Sequence, residues 1–413
     1  MTGPQRASEW RRVALGDVEP ARSRHMWTRS SVHIDGDHLV AGRWDGTIVA
    51  VDRESLDRRW DVDHPGRPAR MDSLEDLLVV ASRGERGAIV AYDPESSETR
   101  WSYDTASDVG SPASDRLFAL PYVVALETDD DRGVLYAAAR RYERVDGSRR
   151  WRSTIYAITA DGSVRWRYET DASPIALALD ADGERLAVGY NRCPGDHDVG
   201  LVVLDAASGH PRWNWDPGTA GDRRVGDVSF GGDHLAVSSH GDKRGYLLGP
   251  TGEERWRVDL ATETEIDGET LYAYPTHVHA RTDRVAFVTG NTYATDRRET
   301  EHRHPNEHRL ATFDSDGAMR WEASLGGFAH ELASTDERLV VPSAQNFRVR
   351  DPDTHAVRRF GLSNGEETRE RFDGVATAVA ASDATIAAIE EPVVYHDDGR
   401  VCGAYALWTT SLE

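Results

Sequence analysis

Histidines and carboxylates gather in one stretch of this sequence, and together they form the donor set that zinc, nickel or iron accepts. PTHVHA places His277 and His279 two apart on a predicted inner strand, so both side chains project from one face. The insertion that follows, NTYATDRRETEHRHPNEH (291–308), carries Glu299, Glu301, His302, His304, Glu307 and His308. His330 and Glu331 open the next inner strand. The candidate metal ligands are therefore His277, His279, His302, His304, His308 and His330, and a catalytic centre built from them would leave one coordination position open. The competing reading is a solvated polar loop, with His277 and His279 lining a wet channel. No HExxH spacing supports a metal.

A second group has the chemistry to hold an anion: Arg70, Arg223 and Arg224 precede predicted inner strands, with His25 near Trp27. Against this, Asp72, Asp222 and Asp227 stand close by as partners, and arginines in an acid-rich chain ordinarily find carboxylates. Phosphate-loop, nucleophile-elbow and triad spacings are absent, and GDKRG around Lys243 lacks the walls of a Walker loop. The two cysteines, Cys193 and Cys402, are far apart and give neither a disulfide framework nor a thiolate metal site. They read as small buried hydrophobes. No catalytic residue is assigned, and no cofactor is expected beyond the divalent metal those histidines would accept.

The elements that position these residues are repetitive. An acidic or Gly-bearing turn followed by tryptophan recurs: DRESLDRRW ends at Trp60, DPESSETRW at Trp101, TADGSVRW at Trp166, DAASGHPRW at Trp213, GPTGEERW at Trp256 and DSDGAMRW at Trp321. A degenerate copy, DPDTHAVRRF, ends at Phe360. A short apolar strand precedes each turn, as in TIVAVD, GLVVLD and FRVRD, and most of those follow another strand with its own turn, as in DGDHLVAG. The unit reads as four strands joined by three turns. Asp and Gly supply side-chain caps and positive φ for tight hairpins, while Val, Ile, Leu and Ala suit sheets covered on both faces. Each tryptophan offers a large flat surface to fill the gap between adjacent sheets, and needs no ligand to explain it.

The last unit, ending at Trp408, supplies three strands, and its missing fourth resembles WRRVALGD at Trp10. Residues 1–413 are thus expected to be all-β: a single closed β-propeller of four-stranded antiparallel blades, with the N-terminal Trp10 strand completing the last blade. Counting Trp10 as a repeat ending gives eight blades. Seven is the alternative, if the final unit is only an edge extension.

Composition bounds the environment. The 413 residues are 39% hydrophobic with a mean hydropathy of −0.59, and the net charge is −22 from 71 acidic against 49 basic residues, of which Lys243 is the one lysine. Such a surface suits concentrated salt, so a halophilic, haloarchaeal protein is expected; a GC-rich genome would explain the arginines but not the acid excess. So negative a chain is a poor nucleic-acid binder, because phosphate contacts need a basic face. No apolar run approaches the ~18 residues of a membrane span. The first residues lack an apolar export segment, which gives the expectation of a soluble, cytoplasmic protein.

The phrases IVAVDRESLDRRW, IVAYDPESSETRW and LVVLDAASGHPRW resemble the repeat of the pyrroloquinoline-quinone-like (PQQ-like) propeller superfamily, and the resemblance runs from Trp10 to Trp408. That family includes quinoprotein dehydrogenases and the non-catalytic lipoprotein of the bacterial outer-membrane assembly machine. The resemblance implies the architecture and, by analogy with the lipoprotein, protein binding. The dehydrogenases usually carry a vicinal cysteine pair, which Cys193 and Cys402 do not form, and no Glu-Asn-Asp calcium set is placeable; the quinone is therefore not expected.

Insertions cluster in the connections between second and third strands: AAARRYERVDGSRRWRS, NRCPGDHD, HGDKR and NTYATDRRETEHRHPNEH. Loops that outgrow their repeat commonly carry binding, because a rigid scaffold positions them. The expected function is a non-catalytic scaffold that docks another protein on this inserted-loop face. The rival is a ligand- or metal-binding propeller, conceivably a quinoprotein-type oxidoreductase, with its site at the axial channel where His277, His279 and His330 would converge.

Overall fold

The structure is a computed structural model and describes residues 9–22, 30–112, 114–296, 300–344, 352–395 and 399–412. His25, Trp27, Glu299 and the strand FRVRD (347–351) lie outside the described residues. The chain divides into two compact units, one of Met1–His64 with Leu325–Glu413, the other of Pro65–Ser324.

The second unit is a succession of five antiparallel repeats of consecutive strands, called sheets here and named by their tryptophans; a bridge between Arg83 and Tyr122 joins the first two into one eight-stranded sheet. The Trp101 sheet comprises Arg67–Leu74, Leu77–Arg83, Ala88–Tyr92 and Thr99–Asp104. The Trp166 sheet comprises Tyr122–Asp129, Val134–Val145, Ser148–Thr159 and Val164–Thr170. Next come the Trp213 sheet (Ser173–Leu179, Arg185–Arg192, Leu201–Asp205, Pro211–Trp215) and the Trp256 sheet (Val225–Gly231, His234–Ser239, Arg244–Leu248, Glu254–Asp259). The Trp321 sheet (Glu269–Arg281, Arg284–Ala294, Arg309–Asp314, Met319–Ser324) gains a short edge strand, Thr264–Ile266.

Burial follows strand position. Third strands such as Ala88–Tyr92 are buried throughout, because their Val, Ile, Leu and Ala side chains pack on both faces. Fourth strands such as Glu254–Asp259 alternate exposed and half-buried residues, with the tryptophan on the half-buried side. Apolar clusters fill the space between successive sheets, as where Leu177 and Leu204 of the Trp213 sheet meet Val124 and Ile155 of the Trp166 sheet.

The recurring Arg-Trp pair has two separate tasks. Where an aspartate opens the turn, the arginine folds back onto it: Arg212 reaches Asp205 at 2.7 Å and Arg320 reaches Asp314 at 2.7 Å, and Arg59 and Arg100 bond Asp52 and Asp93 in the same way. The same carboxylates accept turn N–H groups, such as Ser208 on Asp205 at 2.9 Å. Those turn N–H groups and Arg100 hold the Asp93 carboxyl well below its usual range.

The tryptophan reaches forward instead. The indole N–H of Trp101 donates to the Ala160 carbonyl at 2.7 Å, Trp166 to Ala206 at 3.0 Å, Trp213 to Pro250 at 3.0 Å and Trp256 to Ser315 at 2.9 Å. Each acceptor lies in the final turn of the following sheet. A turn glycine lies flat on each ring; a Cβ on Gly209, whose φ is +72°, would sit 2.6 Å from the Trp166 indole. In this unit every sheet is therefore latched to the next by one hydrogen bond and one ring-on-glycine contact.

The first unit holds three four-stranded sheets. The Trp60 sheet comprises Ser31–Asp35, His38–Gly42, Thr47–Asp52 and Arg58–Asp63. A second comprises Ala333–Ser334, Arg338–Ser343, Ala356–Gly361 and Glu367–Arg371. Here the repeat reading shifts: Phe360 is a fully buried third-strand residue, and the fourth strand reads Glu-Thr-Arg-Glu-Arg, with no aromatic side chain. The third sheet joins Val375–Ala381, Thr385–Glu391 and Ala406–Ser411 to the N-terminal strand Arg11–Ala14, paired from Arg11↔Thr409 to Ala14↔Ala406.

Trp10 lies beside that strand but does not make the latch. It faces the other side, edge-on to Phe372 with ring centroids 5.9 Å apart. Arg11 bonds the turn of the Trp60 sheet in its place, donating to the Arg53 carbonyl at 3.0 Å and also to the Glu54 carbonyl. One position along a strand exchanges its faces, so the arginine beside the tryptophan takes the forward-facing place.

Trp166→Phe keeps most of the ring but loses the donor, and is expected to lower unfolding free energy by about 1 kcal/mol in urea titrations. Gly209→Ala forces a Cβ against the indole in a left-handed turn, and is expected to cost about 1–3 kcal/mol in the same measurement.

Candidate functional site

The inner strands of the second unit carry an unusual set of ionisable groups: Asp72, Glu127, Asp227, His277 and His279. Some of them tie neighbouring strands together. Asp227 accepts the Val278 N–H at 3.0 Å, Ser229 accepts the Ala280 N–H at 3.0 Å, and Thr128 donates to Asp72 at 3.0 Å. His277 Nδ1 lies 3.6 Å from Asp227 Oδ2. Burial, with Arg281 nearby and only partly offset by Asp227, pushes the His279 imidazole down to about 4. Desolvation, reinforced by Asp72 and Asp227, pushes the Glu127 carboxyl up to about 8.

The insertion histidines are mostly engaged in folding their own connection. His304 is buried; its Nε2 meets the Thr262 carbonyl at 3.0 Å, and its Nδ1 accepts the Asn306 N–H at 3.1 Å. Both ring nitrogens are thus occupied. His308 is buried with Nε2 on Asn291 Oδ1 at 2.8 Å, and Glu307 accepts the Thr292 N–H at 2.9 Å. His302 lies half-buried, 3.5 Å from Asp267. His330 belongs to the first unit and packs edge-on to Phe328 at 5.2 Å, beside Glu331, which accepts the Val379 N–H at 2.6 Å. Among the described residues no three His, Cys, Asp or Glu side chains group as metal ligands do.

The arginines separate by role. Arg224 is buried and pairs with Asp216 at 2.7 Å, and Arg70 donates to the Ala69 carbonyl at 2.8 Å. Asp222 pairs with Arg192 at 2.7 Å rather than with its neighbour Arg223. Arg223 lies over the Tyr274 ring, 4.6 Å from its centroid, and Lys243 over Tyr272 at 4.8 Å. Around them opens a cleft of about 460 Å³ lined by Arg192, Asp222, Arg223, His240 and Lys243. Tyr272 pairs with Tyr293 across the two long strands of the Trp321 sheet, so part of the 291–308 insertion is strand rather than loop.

A second cleft, of about 670 Å³, opens beside Trp151, Arg152, Asp171 and His197. It adjoins a projecting hairpin, because the insertion AAARRYERVDGSRRWRS is two continuous strands turning at Asp146-Gly147, with φ values of 49° and 80°. That Asp-Gly signal for a two-residue turn was present in the sequence. Spacing gave no sign of Glu127 or of the Tyr272–Tyr274–Tyr293 cluster, which depend on inner strands and paired extensions coming together.

Sheets of this form, latched in succession, define a β-propeller fold. The chain belongs to the PQQ-like family described as outer membrane protein assembly factor BamB, which matches residues 9–153, 44–213 and 152–308. Among solved structures it is similar to the computationally designed Ika8 protein (12% identity, 91% of this chain and 95% of that one, TM-score 0.56). It is also similar to the Neurospora crassa Pan2 WD40 domain (10% identity, 84% and 89%, TM-score 0.52). BamB from Moraxella catarrhalis aligns at 17% identity over 76% of this chain and 79% of that one, with a TM-score of 0.48. No curated protein matches the chain. The vicinal cysteine pair of quinone dehydrogenases has no counterpart, since Cys193 and Cys402 are free, buried and in different units.

Two pH dependences follow. The His279 imidazole takes a proton near pH 6.5 when unfolded but only near 4 when folded, so stability present above pH 6.5 is lost as pH falls toward 4. His279→Gln is expected to flatten that part of a stability–pH curve. Glu127 titrates near 4.5 unfolded and near 8 folded, so its contribution weakens as pH rises between these values, and Glu127→Gln is expected to raise the melting temperature at pH 8.

Proposed function

We propose that this chain is a non-catalytic propeller scaffold that docks another protein on the face carrying its long second-to-third-strand connections. The observation that carries the reading is the hairpin of Val134–Val145 and Ser148–Thr159, which outgrows its sheet and exposes Arg144, Arg149, Arg150 and Arg152 at its tip. Acidic residues outnumber basic ones 71 to 49 in the chain, so a concentration of exposed arginines on one projecting element favours an acidic partner. Membership in a family of assembly factors supports the same role.

The proposal extends to architecture and setting. Three four-stranded sheets in one unit and five four-stranded repeats in the other, with an N-terminal strand completing the last sheet, favour eight blades in a single closed ring. The acid excess and single lysine favour a cytoplasm of concentrated salt. Among the described residues no helix is long and apolar enough to cross a membrane.

Charge reversal by Arg149→Glu with Arg150→Glu is expected to abolish chemical cross-linking to the native partner at physiological salt, while the melting temperature stays within a few degrees. Unchanged cross-linking would remove the hairpin from the docking surface. Elemental analysis of untagged protein purified without chelator tests the non-catalytic part: stoichiometric metal, lost on His277→Ala with His279→Ala, would sink it.

A further inference from the structure

The cleft between Arg192, Arg223, His240 and Lys243 has a charge balance opposite to that of the rest of the molecule. The other arginines around it are matched: Arg192 to Asp222, Arg224 to Asp216 and Arg244 to Asp259, all at 2.6–2.7 Å. Arg223 and Lys243 form no ion pair among the described residues. Lys243 donates to the Gly241 carbonyl at 2.8 Å, and both cationic heads rest on the tyrosine rings below them. Asp242, next in sequence to Lys243, is turned away onto the Tyr246 hydroxyl and toward Arg244 at 3.5 Å.

The rest of the lining neither adds to the two cations nor cancels them, since Asp222 is paired with Arg192 and His240 is uncharged. Asn191 donates to His240 Nδ1 at 2.6 Å, which fixes that nitrogen as an acceptor. Burial, together with Arg223, His277 and Lys243, pushes the His240 imidazole down to about 3, so it lines the cleft as a neutral ring. Two unmatched cations beside one another repel, and a chain with 71 acidic residues had ample means to neutralise them. An anion from outside supplies what the chain leaves out. The volume, about 460 Å³, lies in the range of small-molecule sites.

We propose that this cleft is an oxyanion site in which Arg223 and Lys243 together hold a carboxylate or phosphate group above the Tyr272 and Tyr274 rings. The guanidinium presents paired N–H donors to two oxygens, and the ammonium supplies a compact point charge. The tyrosines cover the other side of both cations and keep them extended. A free small anion and an acidic side chain presented by a partner protein offer the same chemistry. The site stands whether or not the Arg149–Arg150 hairpin docks a partner.

Isothermal titration of the full chain with inorganic phosphate, with citrate and with an acetylated hexaglutamate peptide tests the site. Saturable binding of at least one probe is expected, weakened by about tenfold or more in Arg223→Gln and in Lys243→Asn. Asparagine suits position 243 because its φ is +63°. The variants are made singly, with melting temperature as the check on folding, so the failure of one to fold leaves the other as the test. Binding of phosphate or citrate supports the site with a free ligand as its source; binding of the peptide alone supports it with a protein-borne carboxylate. The Arg149→Glu, Arg150→Glu chain is expected to bind the small anions like the parent, which separates this site from the docking surface. No saturable binding of any probe, or equal affinity in the folded variants, overturns the proposal.

Discussion

The second unit depends on a contact that spans one sheet to the next: an indole N–H reaching a carbonyl in the neighbouring turn, with that turn's glycine against the ring. The hydrogen bond is worth little more than any other, about 1 kcal/mol. Its effect comes from placement. It removes the donor's need for water at the half-buried edge of the fourth strand and sets the distance at which the apolar clusters of successive sheets meet. The turn opposite must be bare of side chain, so Gly162, Gly209, Gly252 and Gly317 answer both to their own backbone and to a neighbour's tryptophan.

A second device works at the inner strands. Asp227 and Ser229 take N–H groups of the following inner strand, and Glu331 does the same for Val379 in the first unit. Outer indoles and inner carboxylates therefore join consecutive sheets by side chain to backbone, leaving the hairpin ladders within each sheet intact. Carboxylates on these first strands carry a cost that the indole latches do not. Burial pushes the Glu127 carboxyl up, and the nearby Asp72 and Asp227 charges add to the shift.

The strand repeat was legible because its period is local: Asp, turn, Arg and Trp lie within nine residues of one another. What the repeat could not carry was facing. WRRVALGD matches the tryptophan pattern by letter, yet Arg11 occupies the latch, since a one-residue offset exchanges the sides of a strand. Phe360 was misplaced for a related reason, the fourth strand of its sheet having no aromatic residue to mark it. The histidines of 291–308 showed the limit of composition. His304 and His308 have the right chemistry for a metal, but their nitrogens already satisfy Thr262, Asn306 and Asn291, partners 42, 2 and 17 residues away. Arg223 was legible as an anion candidate, whereas its lack of an ion pair among the described residues was not.

The pairing of Arg11 with Thr409 brings the start of the first strand beside the end of the last. Tension applied through the two ends would therefore load the Arg11–Ala14 strand in peeling geometry, where hydrogen bonds break one at a time, rather than in shear, where all resist together. The Arg11 bonds to the Arg53 and Glu54 carbonyls come first under that load. As a mechanical element the third sheet of the first unit therefore opens from its edge, one pair of the Arg11–Ala14 strand at a time.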